Sequence, residues 1–191
     1  MDKVVYIIPG FGESNKQRAY KQIASYFKSK GIKPISVDNI KWKYNTMSDY
    51  VTQLMKRYKP NGETYILGFS YGAMLAFIAS VKIKPKMQIL CSLSPYFKED
   101  LSHIPNTWKL YAGIKRINDH KNCSFNQLAK KTECKTTLLV GSKELKPVLR
   151  RANEAHKKLK NSKLIIIEGA KHKIAQKEYQ KALKKIISNL N

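Results

Sequence analysis

The stretch that most constrains this chain is Thr64-Tyr65-Ile66-Leu67-Gly68-Phe69-Ser70-Tyr71-Gly72-Ala73-Met74-Leu75-Ala76-Phe77-Ile78-Ala79. A run of β-branched and aromatic residues passes without a linker into a small-residue apolar helix, and the junction is Gly-x-Ser-x-Gly. The helix is expected to begin near Tyr71, and Ala73 to Val81 is apolar on nearly every side. A helix of that kind lies buried against the middle of a sheet. Gly68 and Gly72 lack side chains where strand and helix must approach closely, and Ser70 stands at the tip of the turn. The pattern is that of a nucleophile elbow, which lifts a serine hydroxyl above the carboxyl end of a sheet. The first amides of the helix, beginning with Tyr71, then face any negative charge that develops there.

The rest of the chain alternates strands with helices. Lys3 to Ile8 is expected as the first strand, and Pro9-Gly10-Phe11-Gly12-Glu13-Ser14 follows it. Two readings of its glycines stand: they aim the Phe11 N–H inward as a second oxyanion donor beside Tyr71, or they serve a tight turn into the next helix. That helix is expected over Asn15 to Lys30, with Tyr20, Ile23, Ala24 and Phe27 on one face and Gly31 as its stop. Lys33 to Val37 is the next strand, and 38–45 is a loop in which Trp42 and Tyr44 pack or wall a site. Met47, Tyr50, Val51, Leu54 and Tyr58 mark a further amphipathic helix, closed by Pro60-Asn61-Gly62.

After the elbow, Lys86 to Ser94 reads as an apolar strand. From 95 to 132 no strand pattern appears; Pro105 interrupts, and Tyr96, Phe97, Trp108, Tyr111 and Phe125 are scattered among two short helical stretches. This insertion is either a small helical cap over the strand ends or a crossover with one long loop. Lys135 to Val140 is a strand, followed by Gly141-Ser142-Lys143-Glu144 and a helix with Pro147 in its first turn. Lys163 to Ile167 is the last strand, followed by Glu168-Gly169-Ala170-Lys171-His172 and a terminal helix. Six strands alternating with helices give a parallel sheet covered on both faces, with functional groups at the carboxyl ends of the strands.

A serine hydroxyl needs a base to take its proton. Of the four histidines, His156 sits among lysines on a helix, and His103 and His120 belong to the insertion. Only His172 follows a strand directly, so it is the expected base at the rim that carries Ser70. A carboxylate must hold the far nitrogen of that ring. Glu144 is expected in this role, three residues beyond the preceding strand; Glu99, Asp100 and Glu168 are the competing acids.

At 191 residues and 42% hydrophobic composition, the chain is expected to form one domain over 1–191, with the insertion at 95–132. Met1-Asp2-Lys3 leads into an apolar run too short for a signal sequence, and no segment reaches the roughly 20 apolar residues of a membrane span. The three cysteines, 91, 123 and 134, follow no metal-ligand spacing and are expected as reduced thiols in a cytoplasmic protein. Lys and Arg number 37 against 13 Asp and Glu, a formal charge of +24. The lysines are spread in ones and twos with no arginine-rich block, so no specific nucleic-acid function is expected.

Ile7-Ile8-Pro9-Gly10-Phe11-Gly12, Gly68-Phe69-Ser70-Tyr71-Gly72, Gly141-Ser142-Lys143-Glu144 and Gly169-Ala170-Lys171-His172 together resemble the α/β-hydrolase superfamily along the full chain. The sequence is most similar to its short members, such as the RBBP9-type serine hydrolases. That resemblance implies a three-layer α/β/α sandwich with strand order 2-1-3-4-5-6, a serine esterase-type activity and no cofactor. The sequence departs from the pattern in Pro9-Gly10, where His-Gly is usual, and in Glu144, where Asp is commoner.

The expected function is therefore hydrolysis of a small carboxylic ester or thioester by Ser70, His172 and Glu144, with the Phe11 and Tyr71 N–H groups as oxyanion donors. The alternative from another class is a non-catalytic scaffold of the same fold that binds a polyanion, nucleic acid or anionic lipid, through its basic surface. An anionic substrate suits the positive field, and a neutral one is equally compatible with it.

Overall fold

The computed structural model describes residues 2–38, 40–43, 45–59 and 62–190. Tyr44, Pro60 and Asn61, named above in loop readings, and Met1 lie outside the described residues. Six strands, β1 (Lys3–Ile8), β2 (Lys33–Ser36), β3 (Glu63–Phe69), β4 (Met87–Cys91), β5 (Lys135–Gly141) and β6 (Ser162–Ile167), form one sheet. Its order is β2-β1-β3-β4-β5-β6, and every neighbouring pair is parallel.

Alternation along the strands divides the core in two. Val4, Tyr6 and Ile8 of β1 face one side with Ile66, Leu90 and Leu138. Against that side pack α2 (Met47–Met55) and α3 (Tyr71–Ile83). Val5 and Ile7 face the other side with Tyr65, Leu67 and Ile89, beneath α1 (Arg18–Lys28) and α8 (Lys177–Ser188). The helices α1 and α8 each offer one stripe to the sheet: Ala19, Tyr20, Ile23 and Phe27 from α1, and Tyr179, Leu183 and Ile187 from α8. The helix α3 is buried almost all round, as a helix must be that packs over the central strands β3 and β4. The result is a three-layer α/β/α sandwich.

Several element ends differ from the sequence pattern for local reasons. The helix α1 starts three residues later than expected because Asn15 is committed elsewhere. Its side-chain amide donates to the Ile7 carbonyl (2.9 Å) and its N–H to Asp38 Oδ1 (2.7 Å). The strand β4 stops at Cys91 because Ser92 takes a positive φ of 49°. The helix α2 ends at Met55, with Tyr58 closing a turn on the Leu54 carbonyl.

Between β4 and β5 the chain makes a single 3-10 turn at Lys98–Asp100. It continues in three helices rather than two, α4 (Asn106–Ala112), α5 (Ile114–Lys121) and α6 (Phe125–Lys131). The helix α7 (Lys146–Lys158) carries Pro147 in its first turn, where a missing N–H costs no helical bond. Among the described residues no helix is long and apolar enough to cross a membrane.

Candidate active site

The end of β3 meets the start of α3 at Ser70, whose φ of 55° and ψ of −119° lie outside the regions ordinary residues occupy. Neighbouring backbone holds it there. A Cβ on Gly68 would come within 2.4 Å of the Gly72 carbonyl oxygen, and one on Gly72 within 2.2 Å of the Pro9 carbonyl oxygen. Any side chain at either position would drive the helix off the sheet. The Ser70 N–H is tied to the Cys91 carbonyl at 2.8 Å. The serine thus stands at the sheet's carboxyl end and at the N-terminus of α3, where the Ala73 and Met74 N–H groups already close on its carbonyl at 3.0 and 3.2 Å.

The loop after β6 delivers His172. Ala170 N–H closes on the Ile167 carbonyl (3.2 Å), Lys171 N–H on Gln176 Oε1 (2.8 Å), and the imidazole lies 5.1 Å from the Phe69 ring centroid. His172 Nε2 is 2.8 Å from Ser70 Oγ. Its Nδ1 is 2.6 Å from Glu144 Oε2. A carboxylate only accepts, so Nδ1 carries the hydrogen, and in the neutral form of the ring Nε2 then accepts from the serine hydroxyl.

Glu144 arrives from the loop after β5, and its side chain is fully buried. Removing a carboxylate from water costs several kcal/mol unless hydrogen bonds replace the lost solvation. Both oxygens are engaged: Oε2 by His172 and Oε1 by the Ser92 hydroxyl. The positive φ of Ser92 turns that hydroxyl toward the glutamate. Behind it stands the Tyr179 hydroxyl, 2.7 Å from Ser92 Oγ and donating to the Leu139 carbonyl at 3.1 Å. Burial, the largest cause, raises the Tyr179 phenol well above its ordinary range, so it stays neutral beside the carboxylate.

The competing acids are engaged in other ways. Glu99 caps the start of α6, accepting from the Phe125 N–H at 2.9 Å and the Ser124 hydroxyl at 2.5 Å. Asp100 is buried and pairs with Arg151 at 2.7 Å. Glu168 accepts from the Ser142 hydroxyl at 3.1 Å. Of the other histidines, His156 is exposed and lies 2.9 Å from Ser162 Oγ. Among the described residues, no cluster of three or more His, Cys, Asp or Glu side chains is arranged to hold a metal ion.

Phe11 follows β1 at the same rim, its ring edge-on to Tyr71 at 5.8 Å. The loop before it is held by Glu13, whose carboxylate accepts the Gly10 N–H (3.1 Å) and the Tyr20 hydroxyl. The Gly10 N–H is also 3.1 Å from the Tyr20 hydroxyl, and Glu13 N–H closes a turn on the Gly10 carbonyl (3.0 Å). Burial, aided by Glu13, pushes the Tyr20 phenol well above its ordinary range.

Two cavities open from Ser70 and His172. One, of about 390 Å³, runs toward α5 past Phe11, Tyr71, Tyr96, Arg116 and His120. The other, of about 500 Å³, runs toward α4 and α7 past Trp108, Tyr111, Leu145 and Val148. Both are walled by the 95–132 segment, and both contain Ser94, whose hydroxyl lies 3.4 Å from Ser70 Oγ. Trp42 packs in the core beside them, 4.7 Å from Tyr50 by ring centroids.

His120, which its sequence position places only in the irregular insertion, is wholly buried, its Nε2 2.8 Å from the Tyr71 hydroxyl. Its Nδ1 has no hydrogen-bond partner. Burial pulls this imidazole down from 6.5 to about 4, outweighing the pull of Asp119 in the other direction. As pH falls between these values the unfolded chain takes up a proton at His120 that the folded chain refuses. Stability is therefore expected to fall by roughly 2–3 kcal/mol across that window on account of this residue. Denaturant unfolding at both ends of the window should show His120→Gln losing that much less than the unmodified protein. An equal loss in both would remove His120 as the cause.

No protein-family model matches the sequence, and no curated protein matches it. Solved structures do. Est1E from Butyrivibrio proteoclasticus superposes with a TM-score of 0.80 at 16% identity, covering 98% of this chain and 87% of its own. A monoacylglycerol lipase from Paleococcus ferrophilus gives 0.75 at 14%, covering 97% and 92%. Alpha/beta hydrolase domain-containing protein 10 from mouse gives 0.72 at 14%, covering 97% and 88%. With the all-parallel sheet in the order β2-β1-β3-β4-β5-β6 and the serine turn after β3, these similarities establish that the chain has the α/β-hydrolase fold.

Proposed function

We propose that the protein is a serine hydrolase that cleaves a carboxylic ester or thioester through an acyl-enzyme. The observation that carries the reading is the unbroken relay from Ser70 Oγ to His172 Nε2 (2.8 Å) and from His172 Nδ1 to Glu144 Oε2 (2.6 Å). It is set on a serine held at a positive φ. Fold alone would not carry it, because one scaffold hosts many functions. The names of two structural neighbours, a lipase and a hydrolase-domain protein, support hydrolysis as the reaction class.

In this reading Ser70 Oγ attacks the carbonyl carbon as His172 Nε2 takes its proton. Glu144 holds the ring and stabilises the imidazolium that forms. The oxyanion rests between the N–H groups of Phe11 and Tyr71. Collapse of the tetrahedral intermediate expels the alcohol or thiol, which takes the proton from His172. Water then repeats the sequence on the acyl-serine and restores the enzyme.

A fluorophosphonate reacts with a serine activated in this way and with few others. The folded protein is expected to be labelled at Ser70, located by mass spectrometry, while Ser70→Ala and His172→Ala remain unlabelled. A folded, unlabelled protein would overturn the reading and favour the polyanion-binding scaffold. That scaffold predicts binding that weakens steeply with salt and survives Ser70→Ala.

A further inference from the structure

The cavity between Ser70 and α5 contains a positive charge that has no acidic partner among the described residues. Arg116 lines it with Phe11, Tyr71 and Tyr96. Its guanidinium is held in place: Nε donates to the Asn45 carbonyl (3.0 Å), Nη2 to the Trp42 carbonyl (2.7 Å) and Nη1 to the Ala112 carbonyl (3.3 Å). Its Cζ lies 5.1 Å from the centroid of the Phe11 ring. The Tyr50 hydroxyl also sits against it, and burial raises that phenol, keeping it neutral. These partners satisfy donors and fix the plane of the group, but none cancels its charge.

Among the described residues no carboxylate oxygen comes within 4.0 Å of the Arg116 guanidinium, while Arg150 and Arg151 both have one. Asp119, the single acid on α5, is turned to Ser48, accepting its hydroxyl at 2.5 Å and its N–H at 3.2 Å. A held, acid-free guanidinium inside a chain of net charge +24 adds self-repulsion that an entering anion relieves. The same cavity, about 390 Å³, also holds Ser70. An anionic group on Arg116 and a scissile carbonyl on Ser70 therefore fit within one short molecule.

Resting on the reading of Ser70 as nucleophile, we propose that the substrate is a small ester bearing a carboxylate a few bonds from its scissile carbonyl, with Arg116 as the residue that selects it. Arg116 binds the carboxylate through charge-assisted hydrogen bonds and takes no part in bond making. The overall positive field draws such esters toward the surface, and Arg116 fixes which end enters this cavity.

The test compares three esters: the 4-nitrophenyl monoester of adipic acid, charged on the acyl side; 4-(butanoyloxy)benzoate, charged on the leaving side; and neutral 4-nitrophenyl butanoate. At least one charged ester is expected to exceed the neutral one in kcat/KM. Arg116→Gln is expected to cut that ratio by about tenfold or more, with Arg116→Lys between. The ratio matters because Arg116 also fastens α5 to the carbonyls of Trp42 and Asn45. A merely structural role would lower all three esters together, and that parallel loss, or an unchanged ratio, overturns the proposal. General attraction by the remaining lysines would likewise leave the ratio nearly intact in Arg116→Gln. Fluorophosphonate labelling of Ser70 separates the two levels: labelling without a charge preference removes this inference alone, and absence of labelling removes the hydrolase reading with it.

Discussion

Ser70→Ala is expected to lower ester hydrolysis by at least about 10⁴-fold in kcat, with His172→Ala falling about as far. The double variant should be no worse than the poorer single one, because the two residues act in one proton transfer and neither works without the other. The size follows from chemistry. An unassisted serine hydroxyl is almost never ionised at neutral pH, whereas one 2.8 Å from a neutral imidazole nitrogen passes its proton as the new bond forms. What survives in the variants is the contribution of oxyanion donors and binding alone. Kinetics on a chromogenic ester, with active sites counted by fluorophosphonate titration, give the comparison. Wild-type kcat in Ser70→Ala would refute the assignment of the nucleophile.

Much of this arrangement was legible in the residues, for a common reason. Ser70, Glu144 and His172 each lie in a short loop directly after a strand, and in a parallel sheet every such loop emerges at one rim. Sequence position therefore stands in for spatial position, and three residues far apart in the chain converge. The helix α3 was legible in the same way, since an apolar surface on all sides has one stable location, over the central strands. Glu144, expected at the same rim, lies with Oε2 2.6 Å from His172 Nδ1.

The supports of the site were hidden because they depend on folding that leaves no periodic trace. Ser92 reads as one more residue of an apolar strand; only the reversal of φ that ends β4 turns its hydroxyl to Glu144. Tyr179 reads as one of several apolar residues on an amphipathic helix, yet its hydroxyl completes the chain behind the carboxylate. Arg116, His120 and Ser94 were missed for a different reason. The helices α4, α5 and α6 are seven or eight residues long, too short for a 3.6-residue pattern to say which side faces the strands. A single serine after β4 carries no pattern at all. Arg116, the residue proposed to choose the substrate, thus lies where hydrophobic periodicity is weakest.

Asp100→Ala is expected to destabilise the fold by about 3–5 kcal/mol. Asp100 and Arg151 are both buried, at 0% and 1% exposure, and they join the start of the 95–132 segment to α7. Asp100 Oδ1 accepts from Arg151 Nε (3.1 Å) and Nη2 (2.7 Å), and its Oδ2 accepts from the Phe97 N–H (3.2 Å). The guanidinium lies over the Phe125 ring, with Cζ 4.5 Å from its centroid. Removing the carboxylate strands a cation among aromatics, with Glu154, at 2.8 Å on the more exposed side, as a poor replacement. For a chain of this length that loss corresponds to a fall in Tm of roughly 6–20 °C, measurable by calorimetry. Replacing both partners by apolar residues, Asp100→Leu with Arg151→Met, is expected to recover most of it, because no charge is then left buried. If Asp100→Ala melts within about 2 °C of the parent, the pair does not anchor the segment that walls both cavities. If it melts far lower while fluorophosphonate still labels Ser70 below the transition, the pair secures those walls without entering the chemistry.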